Sequence, residues 1–124
     1  SSSTAPFLSQ LERNGAKIIV SKTNVSVHKE VAQMLEMIES LPPLRGIIHA
    51  AGVLDDGMLL GQTWERFDSV MQPKVLGAWN LHNLTQHFPL DFFVCFSSSA
   101  ALLGSPGQSN YAAANAFMDA LAYH

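Results

Sequence analysis

Cysteine is nearly missing from this sequence. Cys95 stands alone, so an internal disulfide is excluded within these 124 residues. It sits in the apolar run Phe92–Phe96 and reads as a small buried hydrophobe, where burial raises a thiol pKa and argues against a nucleophile. Charge is also sparse. Seven Lys and Arg against ten Asp and Glu leave a net charge of -3, which offers no basic footprint for nucleic acid or an anionic membrane. Long apolar runs are lacking, and Phe92–Phe96 falls far short of the roughly 20 residues that cross a bilayer. His28, His82, His87 and His124 show no ligand spacing with one another or with Cys95, so no metal site is expected. Ser1-Ser2-Ser3-Thr4 leads into an amphipathic stretch and not an apolar one, so no secretory leader is expected. A reducing cytoplasm is the compartment these features fit. Repeats, low-complexity segments and linkers are absent too.

What is present is apolar content of 48%, enough for one globular domain or a large piece of one. Phe7, Leu8 and Leu11, with Gly15 as a stop, predict a helix over residues 4–14. Lys17-Ile18-Ile19-Val20 is β-rich and predicts a buried strand. Ser26 is then placed to cap a helix whose stripe is Val27, Val31, Met34, Leu35, Ile38 and Leu41, ended by Pro42-Pro43. Gly46–Ala50 predicts a second strand and Asp91–Ser97 a third, with apolar runs suited to a sheet covered by helices on both faces. Between them, Thr63 caps a long helix to about Gln86, kinked at Pro73. Its residues Trp64, Phe67, Val70, Met71, Val75 and Trp79 are expected in the core. An Ala-rich helix from Asn110 to Ala122 follows a Gly/Ser/Pro loop. Such alternation predicts the α/β class: a partial Rossmann-like, doubly wound parallel sheet of three strands with flanking helices.

In open α/β sheets ligands bind beyond the carboxyl ends of the strands. His49-Ala50-Ala51-Gly52 lies at one such end, where small residues allow close approach of a flat ligand or simply make a tight turn. Phe96-Ser97-Ser98-Ser99 lies at another. Tyr111 and Asn115, four apart at a helix start, share one face, and Ala112, Ala113 and Ala114 leave that face open. A tyrosine hydroxyl titrates near pH ~10, and a neighbouring cation favours its phenolate. Lys74 is the one lysine in the preceding long helix. Alone, Tyr111 reads as a packing tyrosine with a wet hydroxyl. Ser, Tyr, Asn and Lys on three consecutive elements form a sharper pattern.

The string from Phe96 to Leu121, Phe-Ser-Ser-Ser-Ala-Ala…Gly-Gln-Ser-Asn-Tyr-Ala-Ala-Ala-Asn, closely resembles the β-ketoacyl reductase (ketoreductase) domains of modular type I polyketide synthases. His49–Gly57 and Pro73–Leu81 carry the same resemblance. That family belongs to the short-chain dehydrogenase/reductases. Many relatives place lysine four residues after the tyrosine; here Asn115 stands there and Lys74 lies on the preceding helix, an exchange that marks the ketoreductases.

The resemblance implies NADPH-dependent reduction of a β-ketoacyl thioester, carried on the phosphopantetheine of an acyl carrier protein, beside neighbouring polyketide synthase domains. Tyr111 would donate the proton to the ketone oxygen, and Ser98, thirteen residues earlier, would hydrogen-bond that oxygen. Lys74 would favour the phenolate and help relay the proton, and Asn115 would hold the relay geometry. Ser97 and Ser99 would satisfy backbone groups. Asn24, Val25, His49, Ala50, Ala51 and Gly52 would line the cofactor, with Asn24 in place of the family's usual aspartate. Leu54-Asp55-Asp56 resembles the fingerprint of reductases that form the D-hydroxyl; Pro106 and Asn110 agree, and Leu103 replaces the opposite class's tryptophan. Ala114 is not the proline linked with an epimerised α-substituent.

No Gly-rich phosphate loop occurs in residues 1–124. The resemblance therefore implies the C-terminal portion of a ketoreductase domain, truncated at both ends and without its first βαβ unit. Such a piece is expected to be inactive alone, with exposed apolar strand edges through which it could self-associate. Two alternatives stay open: a fatty acid synthase ketoreductase, and a non-catalytic structural half-domain.

Overall fold

A computed structural model describes residues 4–124; Ser1–Ser3, which open the stretch weighed above for a leader, lie outside the described residues. Helix α1 spans Thr4–Arg13 and buries none of its residues. Gly15 follows at φ 93, the left-handed position where glycine ends a helix without a Cβ penalty. Helix α2 (His28–Ile38) buries Val31 and Leu35, the centre of the predicted stripe. Strands β1 (Gly46–His49) and β2 (Phe92–Cys95) pair in parallel, with Gly46 opposite Phe92 and His49 opposite Cys95. Their connection is one long helical rod: α3 (Trp64–Met71), a π-helical turn (Gln72–Leu76) and α4 (Gly77–Thr85). Short α5 (Ala100–Leu103) and long α6 (Ser109–Leu121) follow β2. None of these helices is long and apolar enough to cross a membrane.

The main core lies between α2, α4 and one face of the sheet. Val31, Leu35 and Leu81 pack there with Val25, Ile47 and Phe93. Because side chains alternate along a strand, Ile48 and Val94, opposite each other in the ladder, face away from this core. They are 63% and 41% exposed, so the described helices cover only one face where the apolar runs predicted two. The exposed apolar surface expected from the sequence is thus present. At the start of both strands Arg45 donates to Asp91, and the Asp91 amide donates to the Arg45 carbonyl, 2.7 Å, fixing the register.

Several expectations need correction. The sheet has two strands among the described residues, because Lys17-Ile18-Ile19-Val20 runs as irregular backbone with Ile19 and Val20 exposed. A strand forms only where another satisfies its N–H and C=O groups, and no described strand lies beside this segment. Ser26 does not cap α2; Val27 takes the cap position, while the Ser26 hydroxyl and amide both donate to Asn24 Oδ1. Trp64 and Trp79 lie largely at the surface, leaving Val70 as the fully buried member of the predicted helix core. Thr63 does cap the rod, its hydroxyl accepting from the Arg66 amide. At Pro73 the rod widens into the π-turn, since proline has no N–H for the i→i−4 bond and its ring crowds the preceding carbonyl.

Candidate active site

Beyond the carboxyl ends of β1 and β2 opens a cleft of about 310 Å³, lined by Ala50, Gly52, Leu54, Lys74, Ser97 and Tyr111 among others. The Phe96 amide donates to the His49 carbonyl at 2.9 Å, so the two strand ends stay joined at its floor. The π-turn delivers Lys74 into this region. Only 5% of the residue is exposed, and its ammonium donates to the Phe96 carbonyl at 3.1 Å. The same Nζ lies 5.1 Å from the centroid of the Tyr111 ring, a cation–π arrangement. Among the described residues no carboxylate forms a salt bridge with Lys74. Gly52 makes room for it: a Cβ there would stand 3.0 Å from Lys74 Cε.

Tyr111 sits in the first turn of α6, and its amide donates to Asn110 Oδ1 at 2.8 Å. One turn on, fully buried Asn115 donates from Nδ2 to the Tyr111 carbonyl at 2.7 Å, while its Oδ1 has no partner. The serines at the end of β2 divide their contacts. Ser97 lines the cleft and its hydroxyl donates weakly to the Asn115 carbonyl, 3.4 Å. Ser98 Oγ accepts from the Ala100 amide at 3.2 Å and helps start α5. Backbone satisfaction, expected of Ser97 and Ser99, is made by Ser97 and by Ser98, while Ser99 stands at the cap of α5 without a side-chain cap bond.

The remaining strand-end residues line a second, apolar cleft of about 300 Å³, in which Val25, His49, Ala50 and Ala51 meet core residues Leu35 and Leu81. Ala50 borders both clefts. Asn24 is exposed, with Oδ1 held by Ser26 and its amide donating to Glu30 at 2.7 Å. His49 is buried with Nε2 unpartnered. Burial pushes its pKa below 6.5, the Lys74 charge adds to this, and the backbone of Lys74 and Pro73 opposes it. Because the folded pKa is the lower one, stability from neutral His49 is present in full above pH 6.5. It is lost as pH falls through the folded value. Urea unfolding midpoints of the complete domain should therefore drop on acidification below pH 6.5, with a shallower drop in His49→Gln. Equal slopes would contradict this. Burial also raises the Cys95 thiol, against a smaller opposing effect of Lys74, as expected for a packing cysteine.

The Leu54-Asp55-Asp56 segment meets Asn110 at the start of α6: Asn110 Nδ2 donates to the Asp55 carbonyl at 2.9 Å. Leu103 on α5 and Pro106 in the following loop are both exposed.

A family model described as the KR domain matches residues 1–124. The chain belongs to the KR domain family. Over 121 residues it is 47% identical to phenolphthiocerol synthesis polyketide synthase type I Pks15/1 of Mycobacterium marinum, which covers 97% of this chain and 6% of that protein. It is 46% identical, over the same share of this chain and 8% of the relative, to a Mycobacterium tuberculosis protein named "Putative inactive phenolphthiocerol synthesis polyketide synthase type I Pks1". Among solved structures, a ketoreductase domain from the bacillaene assembly line superposes with a TM-score of 0.94 at 42% identity, covering 99% of this chain and 30% of that one. The chain thus spans under a tenth of these curated relatives and under a third of the solved ketoreductase. The α/β fold is that of the Rossmann-like ketoreductases, and two parallel strands with flanking helices are part of it.

Three contacts of this KR chain escaped the sequence reading. Arg66 pairs with Asp55, Gln108 donates to Asp56, and Asn80 Nδ2 donates to the Val25 carbonyl at 3.0 Å. Arg66 and Asp55 are eleven apart across a loop, so no helical or strand period joins them. The glutamine and asparagine gave no signal beyond their polarity.

Proposed function

We propose that residues 1–124 form the C-terminal, proton-delivering portion of a polyketide synthase ketoreductase domain. It would reduce a β-ketoacyl thioester on an acyl carrier protein to the D-hydroxyl with NADPH. The observation that carries this reading is buried Lys74 held over Tyr111 at the edge of a cleft floored by Ala50 and Gly52. The small residues Ala50 and Gly52 leave room for a flat dihydronicotinamide to approach the strand ends in this cleft, whose lining does not include the unpartnered Asn115 Oδ1 and His49 Nε2. NADPH supplies the hydride that the carbonyl carbon receives; the chain's own part is the oxygen. Tyr111 donates its hydroxyl proton to the ketone oxygen, and Ser98, turned from Ala100, donates a hydrogen bond to the same atom. Lys74 offsets the negative charge left on Tyr111. Asn115 braces the Tyr111 turn through that residue's carbonyl. The dinucleotide phosphates bind outside these residues, so the 124-residue piece alone does not turn over.

The D-hydroxyl assignment is supported by Leu54-Asp55-Asp56, Asn110 and Pro106, as in the family's fingerprint. Chiral analysis of the product formed by the complete domain from a β-ketoacyl thioester and NADPH tests it. D product is expected, and L product overturns the stereochemical assignment.

A further inference from the structure

Both fingerprint aspartates are bonded to protein groups, Asp55 half-buried and Asp56 exposed. Asp55 Oδ1 accepts from Arg66 Nε at 2.9 Å and from Nη2 at 2.6 Å, and the Asp56 carbonyl accepts from the same Nη2. Asp56 Oδ2 accepts from Gln108 Nε2 at 3.0 Å. The next peptide closes the joint, with the Gly57 amide donating to the Gly107 carbonyl at 2.8 Å. Space is tight here: a Cβ on Gly57 would stand 2.5 Å from Arg66 Nη1. Asn110, fully buried, bonds to the carbonyls of Asp55 and Arg66 through Nδ2 and to the Tyr111 amide through Oδ1. One side chain thereby couples the loop, α3 and the tyrosine backbone. Leu54, by contrast, is 62% exposed and lines the Tyr111 cleft.

We propose that Arg66 is a positioning residue for stereocontrol: its fork on Asp55 and Asp56 sets where Leu54 stands beside Tyr111, and the two aspartates act through this clamp without touching substrate. The inference rests on the ketoreductase reading above and names the part that makes its fingerprint work. A planar guanidinium suits the task because its rigid fork of N–H groups holds a carboxylate and a carbonyl in one fixed geometry, whereas the donors of an ammonium turn on a flexible stem. Leu54 then presents an apolar wall to the acyl thioester, and the face of the ketone offered to hydride depends on that wall's position.

The test uses the complete domain with Arg66→Met, Arg66→Lys, Asp55→Asn and the Arg66→Met/Asp55→Asn double variant. Two readouts are taken: the D:L product ratio, and amide hydrogen exchange at residues 54–57. Arg66→Met, which removes every bond of the fork, should lower the ratio about tenfold or more, and Asp55→Asn, which keeps an oxygen acceptor but loses the charge, should lower it less. Arg66→Lys should recover part of it. The double variant should be no worse than the worse single, since both remove one interaction. Exchange at residues 54–57 should quicken in every single removal. If Arg66→Met fails to fold, the isosteric Asp55→Asn decides alone. Unchanged ratios and unchanged exchange in folded variants overturn the clamp, as do additive losses in the double. L product from the parent domain sinks only the D assignment, and the clamp then stands or falls on whether the ratio moves. A parent without turnover sinks the catalytic reading, and exchange still judges the clamp.

Discussion

Tyr111→Phe in the complete ketoreductase domain is expected to cut ketone reduction by about 10²–10⁴-fold while NADPH still binds. The substitution removes one oxygen and keeps the ring. The ring is what Lys74 Nζ faces at 5.1 Å, and the Tyr111 amide and carbonyl keep their bonds to Asn110 and Asn115. Fold and cofactor affinity should therefore survive, and the loss should appear in kcat. Turnover within a few-fold of the parent would remove Tyr111 from proton transfer and leave it a packing residue of the first turn of α6.

Lys74→Met should cost about 10²–10³-fold in kcat, the scale of losing one preorganised charge in a water-poor site. Methionine keeps the length of the stem that passes Gly52 but has no ammonium to offset the charge left on Tyr111. It also leaves the Phe96 carbonyl without its 3.1 Å donor at the end of β2. The signature that separates an electrostatic role from a structural one is the split between kcat and stability: kcat should fall while the melting temperature and NADPH affinity change little. A lower melting temperature with kcat within a few-fold of the parent would make Lys74 a strut under β2 and nothing more.

The parts of the fold that were legible in the sequence are those decided within one turn or one strand. The Val31–Leu35 stripe of α2, the Thr63 cap and the interruption at Pro73 stand where the pattern put them, and the strands expected at Gly46–Ala50 and Asp91–Ser97 form as the shorter Gly46–His49 and Phe92–Cys95. Errors arose where a partner decides. Lys17–Val20 has the composition of a strand, but composition supplies no ladder. Ser26 has the right chemistry for a cap, yet Asn24 Oδ1 two residues back claims its hydroxyl. Trp64 and Trp79 fall on the apolar face of an idealised helix, but the π-turn shifts the phase of the rod ahead of Trp79, so that α4 buries Ala78 and Leu81 instead, and Trp64 stands exposed as the first residue of α3. The four-residue α5 is too short to carry a period.

The candidate site divides along the same line. Lys74 and Tyr111 were paired from the sequence by resemblance and lie together in the cleft. Arg66, which grips Asp55 from across a loop, was invisible because its partner is chosen by the fold and not by spacing. Ser97 shares the Tyr111 cleft with a hydroxyl directed at Asn115, a detail no serine triplet announces.

The most direct measurement is NADPH consumption by the complete domain with a β-ketoacyl thioester, parent beside Tyr111→Phe, with the product identified. Likeness at 46–47% identity to one synthase named as inactive and another not so named gives the result its weight. Stoichiometric β-hydroxyacyl thioester from the parent and essentially none from Tyr111→Phe is the predicted result. No turnover from a folded, NADPH-binding parent would contradict it and make this a ketoreductase domain that has kept its scaffold without its chemistry.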